Sequence, residues 1–433
     1  MFVCSNCGEE YLRWQGKCEN CGNWNTLKEF NVSAKKTANK YAREGMVSAT
    51  EINDVKITNF RRISTTMGEF DRVLGGAEKN AGIVPGSIIL LGGDPGIGKS
   101  TLLLEVAANL DEVLYVSGEE SPEQIKMRFD RLNLKSKKMK LLAEIDLGAI
   151  IETVNKEKPK VVVVDSIQTV YSSEFPSTPG SLVQVRECAL RLQQLAKTTN
   201  TPVILVGHVT KEGSVAGPRT LEHLVDVVLY LEGERYHNNR ILRGEKNRFG
   251  ATEEIGIFEM TEGGLKEVSN PSKFFLEERS KNIPGNVVTA TIEGTRSLLV
   301  EVQALTAVTA FGYPQRKASG FDLNRLQLLI AVLQKRAGLN LSNQDIFINV
   351  VGGIKAKEPA VDLAVALAIA SALKGVAIDD QICAFGEVGL SGEIRQVALE
   401  SRRKAEALRL GFSKFINKKT LFEAINNSLT SKM

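Results

Sequence analysis

Long apolar runs are missing from this sequence of 433 residues. None reaches the roughly 18 consecutive apolar residues that a bilayer-crossing helix needs, so no membrane span and no membrane partner are expected. Charge of one sign is missing too: 55 Lys and Arg stand against 51 Asp and Glu, a net of +4. So small an excess does not demand a polyanionic partner, and any nucleic-acid role has to come from local sites. The start, MFVCSNCGEE, has no charged stretch leading into an apolar one; no secretory leader is expected, and the expected compartment is the cytoplasm. Cysteine is scarce beyond residue 21, where only Cys188 and Cys383 occur, and these read as ordinary buried thiols. What is present suffices for packed cores: 43% of the residues are hydrophobic, and the length fits about three domains.

The most informative stretch is 87–110, where SIILLGG breaks into DPGIGKST and reopens as LLLEVAANL. This reads as strand, phosphate loop and helix, with Gly93, Gly98, Lys99 and Ser100 filling the Walker A pattern. The glycines Gly93, Gly96 and Gly98 let backbone N–H groups turn inward on phosphate oxygens. The whole loop, Gly93, Asp94, Pro95, Gly96, Ile97, Gly98, Lys99, Ser100 and Thr101, is therefore the expected ATP cradle. Lys99 supplies a cation to the β- and γ-phosphates, and Ser100 a hydroxyl ligand for Mg²⁺. The valines 161–164 close on Asp165 as a buried parallel strand that delivers one carboxylate to the Mg²⁺ shell. The run 112–116 ends in Ser117-Gly118-Glu119-Glu120, and a carboxylate at that strand end can polarise a water in line with the γ-phosphate. Glu119 is the first choice for the catalytic base and Glu120 the alternative. Ser166 follows Asp165 where many motor ATPases carry a second acid, which also points to Glu119.

Cys4-x-x-Cys7 and Cys18-x-x-Cys21 form two knuckles ten residues apart, each followed by glycine. Four thiolates with no open position make a structural Zn²⁺ site, expected to fold a four-cysteine ribbon over 1–30. Arg13, Trp14 and Trp24 fit either a nucleic-acid surface or the core of so small a module. Residues 31–54 are polar and aperiodic and read as a linker.

Two segments rich in Gly, Pro and Ser, 172–181 and 211–219, follow strands of the expected sheet and are candidate DNA loops, with Arg186, Lys211 and Arg219 as phosphate-seeking cations. Solvated loop charge explains them equally. His208 is read either as a γ-phosphate sensor or as a histidine without that duty. Residues 221–231 read as helix then strand. Lys246-Asn247-Arg248-Phe249-Gly250 follows another strand, and Lys246 and Arg248, two apart in an extended segment, point the same way as a two-pronged cation.

Several of these stretches resemble known families. The segment Asp71 to Gly76, followed by Ile83-Val84-Pro85-Gly86-Ser87, resembles the approach to the ATPase core of RecA-like and KaiC-like proteins, and VLYVSGEESPEQI resembles DnaB-like helicases, in which the aligned glutamate is the base. The KNRFG pentapeptide, the CxxC ribbon and the GGDPGIGKST loop, in this order, resemble the bacterial RadA (Sms) DNA-repair family along essentially the whole chain. That resemblance implies a RecA-like α/β P-loop ATPase core over 55–270. It implies a hexameric ring in which Lys246 and Arg248 reach the ATP of the neighbouring subunit. It also implies a DNA-dependent ATPase that drives branch migration of single-stranded and branched DNA intermediates alongside the RecA recombinase, in homologous recombination and the repair of DNA breaks. A KaiC-like signalling ATPase and an ATP-dependent peptidase are the alternatives.

The last third, 271–433, reads as an independent α+β domain: strands over 274–300, a helix over 322–336, a strand over 344–351, a buried helix over 361–373, and a hairpin-like pair over 382–389 and 392–397. Gly352-Gly353-Ile354, Glu358-Pro359-Ala360 and GEVGLSGEI resemble the proteolytic domain of Lon, most closely over 345–433. By that resemblance the serine of the Ser–Lys dyad falls on Ala360 and the lysine near Ser401, which implies a proteolytically inactive scaffold. Lys355, Lys357, Arg395, Arg402, Arg403 and Lys404 read as a basic strip for DNA, for neighbouring protomers, or for solvent.

Overall fold

A computed structural model describes residues 2–4, 9–11, 13–29, 51–54, 61–76, 80–136, 138–175, 177–207, 221–233, 238–252, 254–277, 279–310 and 312–429. The expectations resting on Cys7, residues 31–50 of the linker, His208, Lys211 and Arg219 lie outside the described residues. The chain forms two compact units, Met1–Glu232 with Ile241–Thr252 and Met260–Lys266, and Gly233–Arg240 with Glu253–Glu259 and Glu267–Met433. Among the described residues no helix is long and apolar enough to cross a membrane.

The first unit begins with three short antiparallel strands, β1 (Phe2–Cys4), β2 (Glu10–Tyr11) and β3 (Leu27–Glu29), with β1 in the middle. Among the described residues their core is Cys4, Cys18 and Leu27, with Phe2, Tyr11 and Cys21 packed against it. So small a core needs a staple such as a metal. Trp14 and Trp24 do not enter it: they are 57% and 69% exposed, so the core reading fails for both.

The rest of this unit is built by helix α1 (Gly68–Leu74) and then β4 (Ile88–Gly93), α2 (Lys99–Asn109), β5 (Val113–Ser117), α3 (Pro122–Arg131), β6 (Met139–Ala143), α4 (Leu147–Glu157), β7 (Val161–Asp165), α5 (Leu182–Thr199), β8 (Val203–Val206), β9 (Val227–Glu232) and β10 (Asn239–Asn247). Strands run in the order β10-β9-β4-β8-β7-β5-β6, parallel except that β10 is antiparallel to β9. The central strands β4, β5, β7 and β8 are buried along their whole length, as apolar runs covered on both faces must be. Helix starts are written locally: Ser121 caps α3 in a capping box with Gln124, Asp146 caps α4 and Ser181 caps α5. Parallel pairing sends the carboxyl ends of β4, β5 and β7 to one edge, where ligands of such sheets bind. Residues 221–224 form a turn rather than the expected helix: one i→i+4 bond closes, from the Val225 N–H to the Leu221 carbonyl, and β9 begins at Val227 before a second turn can propagate it.

Beyond β11 (Ile255–Thr261) and β12 (Gly264–Glu267), the second unit contains α6 (Pro271–Leu276), β13 (Asn286–Glu293), β14 (Arg296–Val308), β15 (Arg316–Ser319), α7 (Leu323–Ala337), β16 (Gln344–Val350), α8 (Asp362–Lys374), β17 (Ile382–Cys383), β18 (Glu387–Val388), β19 (Ile394–Arg395), α9 (Glu400–Arg409), β20 (Lys414–Phe415) and α10 (Leu421–Ser428). Its six-stranded sheet has the order β15-β16-β14-β13-β17-β20, and α8 is buried from Asp362 to Ser371. Phe274 lies in helix α6, not in a strand, because Asn270 caps a Pro-initiated turn there. Residues 382–389 do not form one arm of a hairpin: β17 joins the large sheet in parallel, and only β18 and β19 pair with each other.

Arg403 is not part of a surface strip either. It is 1% exposed, donates to both carboxylate oxygens of Glu358 at 2.7 and 2.6 Å, and reaches the carbonyls of Ala290 and Ala398. Glu358 also accepts from the Ile292 N–H at 2.7 Å, so this pair ties α9, β13 and the turn before α8 together. Arg403→Met leaves the carboxylate without its cation and should cost about 3 kcal/mol, the lower end for breaking a buried pair. A fall in the urea midpoint of the chain checks this, and an unchanged midpoint contradicts it.

Candidate active site

The loop after β4 is shaped by crowding. Gly93 has φ +151, and a Cβ there would stand 2.6 Å from the Leu231 carbonyl oxygen, so only glycine leaves the strand at this angle. Helix α2 starts at Lys99 with Gly98 as its N-cap, so the first N–H groups of Lys99, Ser100 and Thr101 lack intrahelical partners and favour an anion. Ile97 is buried and anchors the loop, while Asp94, Pro95 and Gly96 form its exposed crest. The Lys99 ammonium is buried and donates to the carbonyls of Gly93 at 2.9 Å and Asp94 at 3.0 Å. Burial holds its pKa below the ordinary lysine value, and the carboxylates of Asp165, Asp94 and Glu119 oppose that shift. Those three acids thus act on one cation.

Asp165 ends β7 opposite Ser117 of β5, and its Oδ2 accepts a 2.7 Å hydrogen bond from the Tyr115 hydroxyl. Tyr115 is buried, and burial together with the Asp165 carboxylate holds its phenol well above the ordinary range. It therefore stays a donor. The Ser166 hydroxyl donates to Glu119 Oε1 at 2.5 Å. Glu120 points elsewhere: its carboxylate pairs with Arg128 of α3, and its backbone exchanges hydrogen bonds with Ser117 Oγ. Sequence reasoning missed Tyr115 because its polar end is hidden inside an apolar strand pattern, and it also missed Gln184. The buried Gln184 amide donates to the carbonyls of Ser172, Phe175 and Ser177 and accepts from the Ser172 N–H, which holds these three residues against the start of α5. Arg186 is exposed beside it.

The pentapeptide 246–250 lies at the opposite edge. Lys246 pairs across from Val228 and Asn247 from Val227, at the amino end of β9, after a register shift between Gly244 and Lys246. Lys246 Nζ donates to the carbonyls of Glu222 at 2.6 Å and Val225 at 2.8 Å. Burial, then the Arg248 charge, pulls its pKa below the ordinary value. Arg248 bonds Asp226 Oδ1 at 3.1 Å, and Asp226 Oδ2 accepts from the N–H of Ile88 at the start of β4. Asn247 donates to the carbonyls of Val73 and Leu74, and Arg62 bridges the carbonyls of Leu74, Gly75 and Gly82 to that of Phe249. Gly250 packs on Gly75, where a Cβ on either would lie 3.2 Å from the other's Cα.

In the ribbon, the sulfurs of Cys4, Cys18 and Cys21 lie within 4.8 Å of one another, and those of Cys4 and Cys21 are 3.7 Å apart. Two thiolates at roughly 2.3 Å from one tetrahedral zinc stand about 3.8 Å apart, so the donor set fits Zn²⁺. Thr26 Oγ1 lies 3.2 Å from the Cys4 sulfur and the Tyr11 hydroxyl 3.3 Å from that of Cys18.

Comparison with known proteins agrees with this geometry. The family described as AAA domain matches residues 79–214, the rubredoxin metal binding domain matches 2–29, and subunit ChlI of Mg-chelatase matches 317–420. The DNA repair protein RadA of Bacillus subtilis is 51% identical over 423 residues, covering 96% of this chain and 91% of that protein. The chain belongs to the RadA family of DNA repair proteins. Its Listeria monocytogenes member is 51% identical over 418 residues, covering 95% and 90%. The solved RadB recombinase matches over 48% of this chain and 100% of its own, at 25% identity and TM-score 0.38. The chain carries a RecA-like P-loop ATPase core, an N-terminal zinc ribbon and a C-terminal α+β domain.

One acid beside the loop titrates near neutrality. Glu105, on the inner face of α2, accepts from the Leu265 N–H at 2.9 Å, and its other oxygen is buried without a hydrogen-bond partner. Burial pushes its carboxyl up to about 7. Because the folded value is raised, the fold favours the protonated form, and stability falls as pH rises from the unfolded carboxylate range through 7. Glu105→Gln removes that loss. Its gain over the parent should be absent at pH 4.5 and reach about 2 kcal/mol by pH 8, discounting the full linkage value. Paired thermal melts across this range check it, and a gain independent of pH contradicts it.

Proposed function

We propose that this chain is a DNA-dependent ATPase whose protomers complete one another's active sites in a ring, most simply of six, and that it drives branch migration of recombination intermediates alongside RecA. The observation that carries this reading is the placement of Lys246 and Arg248. Through Asp226, Arg248 is fixed at Ile88, whereas the phosphate loop begins at Gly93, five residues on. At about 3.3 Å per residue that is roughly 16 Å along a rigid buried strand. Arg248 is therefore held away from the phosphates of its own chain, Lys246 Nζ is tied at the same end to the Glu222 and Val225 carbonyls, and a neighbouring protomer is the natural recipient.

Within one protomer, the loop 93–101 wraps the phosphates and Lys99 exchanges its carbonyl partners for the β- and γ-oxygens. Ser100 and Asp165 would hold Mg²⁺, which when bound spreads and neutralises phosphate charge. Glu119 orients a water and takes its proton as the water oxygen bonds to the γ-phosphorus. The bond to the β,γ-bridging oxygen breaks with its electron pair left on ADP. The Glu120–Arg128 pair supports Glu119 over Glu120 as this base. Lys246 and Arg248 of the adjacent subunit would answer the γ-phosphate, and the segments 172–181 and 211–219 would carry DNA.

The domain limits 1–30, 31–54, 55–270 and 271–433 belong to the same proposal. So does an inactive C-terminal domain, supported by the buried, hydroxyl-free Ala360 where a nucleophile would stand. A cytoplasmic setting follows from the DNA substrate.

Lys99→Ala should abolish hydrolysis, and Lys246→Ala should keep nucleotide affinity while losing about a thousandfold in DNA-stimulated turnover. Mixed together, these two inactive chains should regain activity, because the intact pocket of one meets the intact cations of the other. ATP turnover and three-strand branch movement, with and without RecA, read the result. Full turnover by Lys246→Ala, or no recovery on mixing, contradicts completion between protomers.

A further inference from the structure

We propose that Tyr115 and Ser166 are positioning residues that sort the two acids of the site, Tyr115 setting Asp165 for the metal and Ser166 setting Glu119 for the attacking water. This rests on the roles given above to Asp165 and Glu119.

The arrangement follows from strand pairing. Tyr115 stands opposite Val163 and Ser117 opposite Asp165 in a parallel ladder, and residues two apart on a strand share a face. Tyr115 and Asp165 thus lie on one face of neighbouring strands, one step apart, within reach of a phenol but not of a shorter side chain. The 2.7 Å bond to Oδ2 fixes the plane of a carboxylate that would otherwise rotate about its terminal torsion. Ser166 is fully buried directly after Asp165, and its hydroxyl holds Glu119 through Oε1 at 2.5 Å. One strand end therefore aims both acids, with a separate donor for each.

The kind of donor matters as much as the distance. Two carboxylates near one lysine would suffer if either were oriented by a second cation, which would compete with a bound divalent ion and with the proton that the base must receive. Tyrosine and serine each bring one neutral donor, which orients an acid without cancelling its charge. Glu120, one residue from Glu119, shows the contrast: its partner is the Arg128 guanidinium, and it is drawn to α3.

The test uses the full-length protein and four variants, Tyr115→Phe, Ser166→Ala, Asp165→Asn and Glu119→Gln; the first two each delete a single oxygen. Two readouts are taken: the Mg²⁺ concentration that half-saturates binding of a fluorescent ATP, and single-turnover hydrolysis with saturating Mg²⁺. Tyr115→Phe should raise the half-saturating Mg²⁺ about tenfold, the usual cost of losing an outer-shell partner, with metal-free nucleotide binding unchanged. Ser166→Ala should leave the Mg²⁺ requirement alone and slow hydrolysis about tenfold to a hundredfold. Combined with Glu119→Gln it should add nothing further, because it acts through Glu119, whereas a merely structural serine would multiply the two losses. An unchanged Mg²⁺ requirement in Tyr115→Phe, parent-rate hydrolysis in Ser166→Ala, or multiplied losses overturn the proposal. Parent behaviour of Glu119→Gln or Asp165→Asn would instead overturn the underlying assignment of base or metal ligand.

Discussion

Asp226 joins the start of the phosphate-loop strand to the pentapeptide 246–250. One of its oxygens takes the first N–H of the central strand and the other takes Arg248, so the strand that ends in the phosphate loop begins at the cationic pair. A buried parallel strand is stiff, and fixing its start fixes its end. The rest of the pentapeptide is fastened to the same region: Asn247 and Arg62 occupy the carbonyls at the end of α1, and Gly250 lies flat on Gly75. Lys246 and Arg248 are thus held on a braced platform rather than on a loose hairpin, each side chain bonded within its own chain.

The other edge of the sheet has the opposite character. There Asp165 accepts from the Tyr115 hydroxyl, Glu119 from the Ser166 hydroxyl, and the lysine donates to two backbone carbonyls, contacts that exchange cheaply when phosphate arrives. Ser172, Phe175 and Ser177 follow β7 and are tied by one glutamine to α5.

Much of this was legible in the chain because it is local. The phosphate loop, the valine strand ending in Asp165 and the helix caps are set by residues within a few positions of one another. The remainder depends on contacts that spacing does not encode: Tyr115 meets Asp165 across 50 residues, Ile88 meets Asp226 across 138, and Arg62 meets Phe249 across 187. Glu119 and Glu120 are equivalent as letters, and only Ser166 and Arg128 separate them. Arg403 reads as one more charge in a basic run, yet the turn of α9 carries it inward to Glu358 while Arg402 is exposed and Lys404 half-buried over the Phe415 ring. Phe274 was misplaced because an alternating pattern cannot distinguish a strand from a six-residue helix.

If each active site is finished by the neighbouring chain, ATP turnover per chain must depend on assembly. The most direct measurement follows specific activity across a protein dilution series with saturating ATP, Mg²⁺ and single-stranded DNA, while sedimentation velocity gives the assembled fraction at each point. Completion between protomers predicts that turnover per chain rises in step with that fraction and vanishes where the chain is monomeric. Constant turnover per chain down into the monomeric range would contradict it.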